Sequence, residues 1–350
     1  ILTAGINDFD SNPDVLNCAN GVVDLRTGEL TPHHETQHRF TYCSPIEYKP
    51  KKDNMDPVFN FFSDALKGGK DVATFLFRML GYGITGHTSL EKFLYIYGKP
   101  RAGKGTLIEM LCTLFPTLVG VTSFATLTQR AQDVNDFRLA ELRPCRIVIA
   151  DEGANKMQFD ADRIKYLTGG APVQCAFKHK RAFTYKPQFM PILVSNNPLQ
   201  MDVDDDAAWS RPRIIEFPHS HVADEDPTIK AGLKSKEALE GLLALMVWGA
   251  RDFYASGMKS IETPNTVTLS AMSHRAEADY VQQWLDECCT VSDDMQKPII
   301  DRSQVHSNYA AWCLQAGQKA WGGRRFYQAL RGKGFGVSDG VERHPENGRD

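Results

Sequence analysis

The sequence has no apolar run approaching the 20 or so residues that a membrane-spanning helix needs, so none is expected. It has no large excess of either charge. A formal net charge of −3 excludes a surface coated in positive charge but leaves room for a local basic channel. None of its eight cysteines stands in a C-x-x-C pair. In a chain of 350 residues they therefore read as reduced intracellular thiols, not as a disulfide or zinc framework. The ten histidines make no H-E-x-x-H or similar pattern, and no structural metal is expected. Repeats and low-complexity tracts are lacking. So is a charged-then-apolar leader, which leaves no sign of secretion. A start at Ile1 suggests a piece of a longer polypeptide. Apolar content of 42% and charged content of 24% fit an ordinary globular protein of two or three domains.

What is present centres on Gly98, Lys99, Pro100, Arg101, Ala102, Gly103, Lys104, Gly105 and Thr106. This stretch fits G-x-x-x-x-G-K, the phosphate-binding loop of NTPases. Phe93–Tyr97 before it reads as a buried strand, and Leu107–Phe115 after it as a helix that stops at Pro116. Strand, glycine loop and helix give the motif its mechanism. Glycines let the backbone N–H groups turn inward, and the helix N-terminus adds partial positive charge for anionic phosphates. Lys104 would reach the β- and γ-phosphates. The position that usually offers a hydroxyl to Mg²⁺ holds Gly105, with Thr106 one later. Some nucleotide kinases share this Gly-Lys-Gly-Thr form.

Further along, Arg146–Glu152 reads as a buried strand ending in two acids, as in a Walker B strand. It follows Lys104 by about 47 residues, room enough for the elements between. In a doubly wound sheet both features emerge at the carboxyl ends of strands and share one crevice. Asp151 would hold Mg²⁺, directly or through water, and Glu152 would orient or deprotonate the attacking water. Phe189–Asn197 is a second buried strand ending in amides. Asn196 there either positions water beside a γ-phosphate or is a turn residue before Pro198.

Val173–Tyr185 has β-forming arms around Lys178, His179, Lys180 and Arg181. Such a hairpin either grips a phosphate backbone or is a solvated turn. Met201–Ala208, with Asp202, Asp204, Asp205 and Asp206, reads as an acidic surface loop. Arg211 and Arg213 precede a short strand, as surface charges or as a finger reaching a neighbour's phosphate.

The flanks are read more coarsely. Val15–Leu30 carries Asn-Gly and Thr-Gly turn signals of a hairpin. Tyr48–Pro57 reads as a linker, and helical spacing begins at Val58. Gly68-Gly69 separates two helices, and Gly81, Gly83 and Gly86 are expected to end the second. Leu239–Ala250 forms an amphipathic stripe. Thr263-Pro-Asn reads as a linker or cap, and a long polar helix is expected after it through about Glu287. The tail, with Arg324, Arg325, Arg331 and Lys333, suggests a small helix-turn-helix-like module.

Phosphate loop, Asp-Glu strand, basic hairpin, strand-end Asn and arginine pair, in that order, resemble superfamily 3 helicases of the AAA+ class. The branch resembled is the poxvirus- and phage-type primase-helicase family. Asn20–Leu25, Leu80–Gly86, Lys165–Gly170, Val194–Asn196, Trp209–Arg213 before Phe217, and Tyr309–Gly317 with Phe326 carry the likeness. Two departures are Gly105 and the apolar Ala176-Phe177, where phage relatives often carry basic residues.

The resemblance implies an α/β fold whose AAA+ core has a central, mostly parallel sheet. The domains expected are a β/helical collar-like region over 1–90, the NTPase core over 91–222, a helical segment over 223–275 and a small winged-helix-like domain over 276–350. It implies a ring, usually of six subunits, that unwinds DNA while hydrolysing NTP with Mg²⁺. Lys104 and Thr106 would bind phosphates, Thr106 and Asp151 would face the metal, and Asn196 would be the sensor. Arg211, with Arg213 next, would complete a neighbour's site, and Lys178 to Arg181 would contact single-stranded or fork DNA. An upstream primase-polymerase and a host-cell cytoplasmic setting are also implied. Two other readings stay open: a nucleotide-dependent DNA-binding assembly factor, and a small-molecule phosphotransferase.

Overall fold

The computed structural model describes residues 9–128, 137–151, 159–178, 180–220, 227–290, 301–318 and 320–335. They divide into two compact units, split between Arg275 and Ala276. No described helix is long and apolar enough to cross a membrane.

The first unit opens with an antiparallel sheet of β1 (Val15–Cys18), β2 (Gly21–Asp24) and β3 (Leu30–Thr31). Gly21 begins β2 at φ 149°, and a Cβ there would lie 2.6 Å from the Thr31 carbonyl oxygen. Helices α1 (Lys52–Ala65) and α2 (Gly69–Ile84) follow. Next come β4 (Phe93–Gly98), α3 (Lys104–Leu114), β5 (Val119–Ser123), α4 (Phe124–Thr128), α5 (Phe137–Glu141) and β6 (Ile147–Asp151). Then α6 (Ala161–Thr168) leads to a hairpin of β7 (Val173–Cys175) and β8 (Phe183–Tyr185). The chain continues through β9 (Met190–Ser195), α7 (Asp206–Trp209), β10 (Pro212–Phe217), α8 (Pro227–Leu233), α9 (Lys236–Ala255) and α10 (Asn265–Ala278).

Five strands make one parallel sheet in the order β10-β4-β9-β6-β5. The near-continuous apolar runs of the inner strands β4, β9 and β6 are what a sheet covered on both faces requires. The order differs from chain order because β9 lies between β4 and β6. Three carboxyl ends therefore meet side by side: Gly98 of β4, Ser195 of β9 and Asp151 of β6.

One apolar core runs from Leu16 and Val23 through α1, α2 and α9 to Ile96, Ile149 and Ile192 of the parallel sheet. The helices meet at glycines. A Cβ on Gly249 would stand 2.2 Å from the Phe77 carbonyl oxygen, one on Gly81 2.3 Å from the Ala250 nitrogen, and one on Gly241 1.9 Å from the Asn54 carbonyl oxygen. This corrects the expectation that Gly81 and Gly83 end α2. The helix continues to Ile84, and Gly81 lets the α9 backbone come close.

Two other boundaries move. α1 begins at Lys52 and not at Val58, because its first turns face solvent and lack an apolar period. Pro57 sits inside it without an N–H to give the Asp53 carbonyl. Within the acidic loop, Asp205 is tied down: it accepts from the Ala208 nitrogen at 2.8 Å to cap α7, and from Lys165 Nζ at 2.8 Å.

The second unit holds α11 (Tyr280–Cys288), α12 (Arg302–Gln315) and α13 (Gly323–Gly332) around Trp284, Tyr309 and Phe326. Among its described residues there is no strand. The single helix expected up to Glu287 is two. Asp279 breaks it and caps α11 by accepting from the Gln282 nitrogen at 2.9 Å.

Candidate functional site

Phe93–Tyr97 form a strand because five apolar or aromatic residues in a row suit a sheet covered on both sides. Gly98 then turns the chain at φ 153°, and a Cβ there would lie 2.2 Å from the Phe217 carbonyl oxygen. Arg101 (φ 57°) and Gly103 (φ 99°) take left-handed backbone, so the loop curls before α3 starts at Lys104. No side chain caps α3. The first N–H groups of any helix lack partners further along the helix, which suits the start of α3 to an anion.

Lys104 is buried, at 8% exposure. Its ammonium donates to the Gly98 carbonyl, to the Lys99 carbonyl at 2.7 Å and to Asn196 Oδ1 at 2.8 Å. Burial lowers its pKa, and the negative charge of Asp151 works against that shift. Asp151 ends β6 exposed, with Val194 of β9 as its register partner. The sheet thus brings Lys104, Asp151 and Asn196 to one edge. Thr106 lies in the first turn of α3, its N–H donating to the Gly103 carbonyl at 3.1 Å. Gly105 is exposed, and a Cβ built on it meets nothing within 4 Å. The glycine cradle, the buried ammonium and the strand-end carboxylate fit a triphosphate with a divalent cation. Glu152 lies outside the described residues.

Arg211 is elsewhere. β10 runs parallel to β4 with Pro212 beside Phe93 and Phe217 beside Gly98. Arg211 thus stands at the amino end of β10, about 20 Å from the phosphate loop along a six-residue strand. Its guanidinium pairs with Glu91 at 2.8 Å and donates to Thr168 Oγ1 at 2.7 Å. Arg213 donates to the Ser210 and Pro212 carbonyls, both at 3.0 Å, and burial lowers its pKa. Neither arginine reaches the phosphate loop of its own chain.

β7 and β8 pair antiparallel, from Val173 with Tyr185 to Cys175 with Phe183. The connecting tip holds Lys178, Lys180 and Arg181, all exposed, and is tightened by Lys180 N–H donating to the Phe177 carbonyl at 2.9 Å. His179 lies outside the described residues.

Comparison with known proteins bears on this arrangement. Residues 2–66 match a family described as "D5 N terminal like", and residues 96–211 a family of unknown function, DUF5906. A curated relative, "Putative helicase L207/L206" of Acanthamoeba polyphaga mimivirus, is 23% identical over 339 residues, covering 89% of this chain and 35% of its own length. "Putative helicase V13" of Sputnik virophage is 22% identical, covering 79% of this chain and 37% of its own length. This chain is similar to D5-type primase-helicases in its first 66 residues and to viral helicase-named proteins along most of its length. It spans little more than a third of these relatives' length. The apo C-terminal region of NrS-1 is a solved structure of 14% identity, covering 81% of this chain and 74% of that one with a TM-score of 0.46.

Sequence reasoning missed several residues that support this arrangement. Glu91 and Thr168 hold Arg211; Glu91 stands in no motif, and the Lys165–Gly170 stretch that contains Thr168 gave no sign of this contact. His274 of α10 is 2% exposed and lies behind the asparagine turn. Its Nδ1 accepts from the Leu199 nitrogen at 3.0 Å, and its ring meets Tyr97 edge-on at 4.7 Å. Tyr95 Oη donates to the Asn197 carbonyl at 2.8 Å from inside the sheet. That a tyrosine interrupts the aliphatic run of β4 was the one local hint.

Proposed function

We propose that this chain is the motor segment of an NTP-dependent DNA helicase of the superfamily 3, AAA+ type, working as a hexameric ring with nucleotide sites shared between subunits. One observation carries the reading: Lys104 Nζ, at the start of α3, and Asn196 Oδ1, just past the end of β9, are 2.8 Å apart, and β9 pairs with β6, which ends at Asp151. A buried ammonium, a carboxylate and an amide at one sheet edge are what binding a polyphosphate and orienting water on its last phosphorus require.

In this reading Lys104 exchanges its loop carbonyls for the β- and γ-phosphates of ATP or another NTP. Asn196, released from the ammonium, orients the attacking water. Glu152 accepts the proton of that water. Asp151 and Thr106 would hold a Mg²⁺ ion, which would supply neutralisation of phosphate charge. Arg211 of one subunit stabilises charge on the γ-phosphate held by the next, with Arg213 as its reserve. That role is supported by the distance of Arg211 from its own loop. Lys178, Lys180 and Arg181, with His179, meet the backbone of single-stranded or fork DNA. Residues 91–222 serve as the NTPase core, 1–90 as a collar, 223–275 as a helical bridge and 276–350 as a winged-helix-like module. An upstream primase-polymerase segment completes the protein.

The test is displacement of a labelled strand from a forked duplex, beside NTP turnover with and without DNA. Displacement is expected for the wild type. Lys104→Ala and Glu152→Gln should abolish it while leaving the fold intact. Full unwinding by Lys104→Ala would overturn the site. DNA binding without turnover, unaltered in Glu152→Gln, would favour an assembly factor instead.

A further inference from the structure

The basic tip of the hairpin has an apolar neighbour that phosphate contacts leave unexplained. Phe177, next to Lys178, is 43% exposed. Its ring stacks on Phe183 across the hairpin neck, with centroids 5.4 Å apart and planes 27° apart. Phe183 also takes the guanidinium of Arg143 at 5.8 Å from its centroid and leans on Tyr185 at 6.2 Å. Tyr185 is buried and anchors the neck by donating from Oη to the Leu139 carbonyl at 2.7 Å. The aromatic column is thus fixed at its base and open at its top.

An exposed ring with one face covered presents the other to solvent, and holding it there costs apolar hydration. Exposed cations accompany it: Lys178, Lys180 and Arg181 follow it at the hairpin tip, and Arg143 lies over its stacking partner Phe183. Flat, apolar-faced and polyanionic describes the base and phosphate of a single strand. Bases in a duplex are stacked on each other and hide these faces. Stacking on a protein ring is tolerant of sequence, because every base has a π-face.

We propose that Phe177 is a base-stacking platform: one nucleobase of single-stranded DNA lies on its open face while Lys178, Lys180 and Arg181 hold the flanking phosphates. This rests on reading the hairpin as the DNA contact. It makes the grip two-part, with a phosphate component that salt weakens and a stacking component that salt barely touches.

The experiment is fluorescence anisotropy on the chain itself, with a labelled oligo-dT strand and a strand of equal length and charge made of abasic sites, over a range of salt. The wild type should prefer oligo-dT by about five-fold or more. Phe177→Ala should abolish that preference with the salt slope unchanged. Phe177→Leu, which keeps the apolar bulk, should lose it too, and Phe177→Trp should keep it. Lys178→Glu with Lys180→Glu should weaken both strands alike and flatten the slope. A preference that survives in Phe177→Ala and Phe177→Leu overturns the platform, as does wild-type binding without preference, while the hairpin reading stands. Binding of neither strand by the wild type sinks both.

Discussion

Gly105 occupies the helical position from which a hydroxyl reaches a metal ion, and nothing within 4 Å stands in the way of a larger residue. Glycine there costs helix stability without serving packing, in contrast to Gly98, whose hydrogen faces the Phe217 carbonyl. Gly105→Ser should therefore fold, gaining roughly 0.5 kcal/mol of stability by urea unfolding. It should also reach half-maximal turnover at lower Mg²⁺. A loss of stability would mean the loop is tighter than it looks, and an unmoved Mg²⁺ titration would mean that the metal is held from elsewhere.

At this scale Lys104, Asp151 and Asn196 were legible because each sits at the end of, or just beyond, a local apolar run. The partners of Arg211 were not. Thr168 is 43 residues away and Glu91 is on the far side of the sheet's chain path, and no local pattern encodes a contact across that separation. His274 illustrates the same limit, 75 residues from the nitrogen it accepts from.

Among elements, the α9 crossings decide whether the sheet has a back wall. Gly249→Val would drive a side chain into the backbone of α2 and should cost about 1–3 kcal/mol, read as a lower urea midpoint with an unchanged slope. A neutral result would show that α2 and α9 can part without loss. In the sequence Gly81 looks like a helix terminator, because the reason for it lies on the partner helix.

Asp14 ties further segments together. Burial opposes its ionisation. Yet donation from Tyr254 Oη at 2.6 Å, from His87 Nε2 at 3.0 Å and from Arg26 Nε at 2.9 Å outweighs burial, bringing the carboxyl from 3.8 to about 2. A carboxyl with a folded-state pKa below its unfolded one stabilises fully above the unfolded value, and that stability is lost as pH falls from about 3.8 to about 2. Denaturation midpoints should therefore drop across that window, and drop less in Asp14→Asn. Equal slopes in both proteins would remove Asp14 from the acid response.

For the whole molecule the question is whether one chain holds a complete site. Arg211 lies a strand's length from its own phosphate loop, so hydrolysis should need an interface. Mixing Arg211→Ala subunits with Lys104→Ala subunits should restore part of the NTP turnover that each lacks alone, because some mixed interfaces pair a good loop with a good arginine. Co-assembly without any recovery, at any ratio, would exclude the trans role. The parallel sheet could be read from its buried runs, but its order could not. That β9 inserts between β4 and β6, and so puts Asn196 against Lys104, is a pairing choice made in three dimensions.

β10 touches both halves of this arrangement. At one end the Phe217 carbonyl backs Gly98, and at the other Arg211 immediately precedes the strand. In the ring proposed above, the piece that feels a subunit's own loop is also the piece that delivers charge to the next. A hydrogen-bonded strand transmits displacement along its axis with little give, so it acts as a push-rod of fixed length. Loading one pocket would then set the timing of its neighbour without a separate messenger, and firing order around the assembly would be written into six residues of backbone.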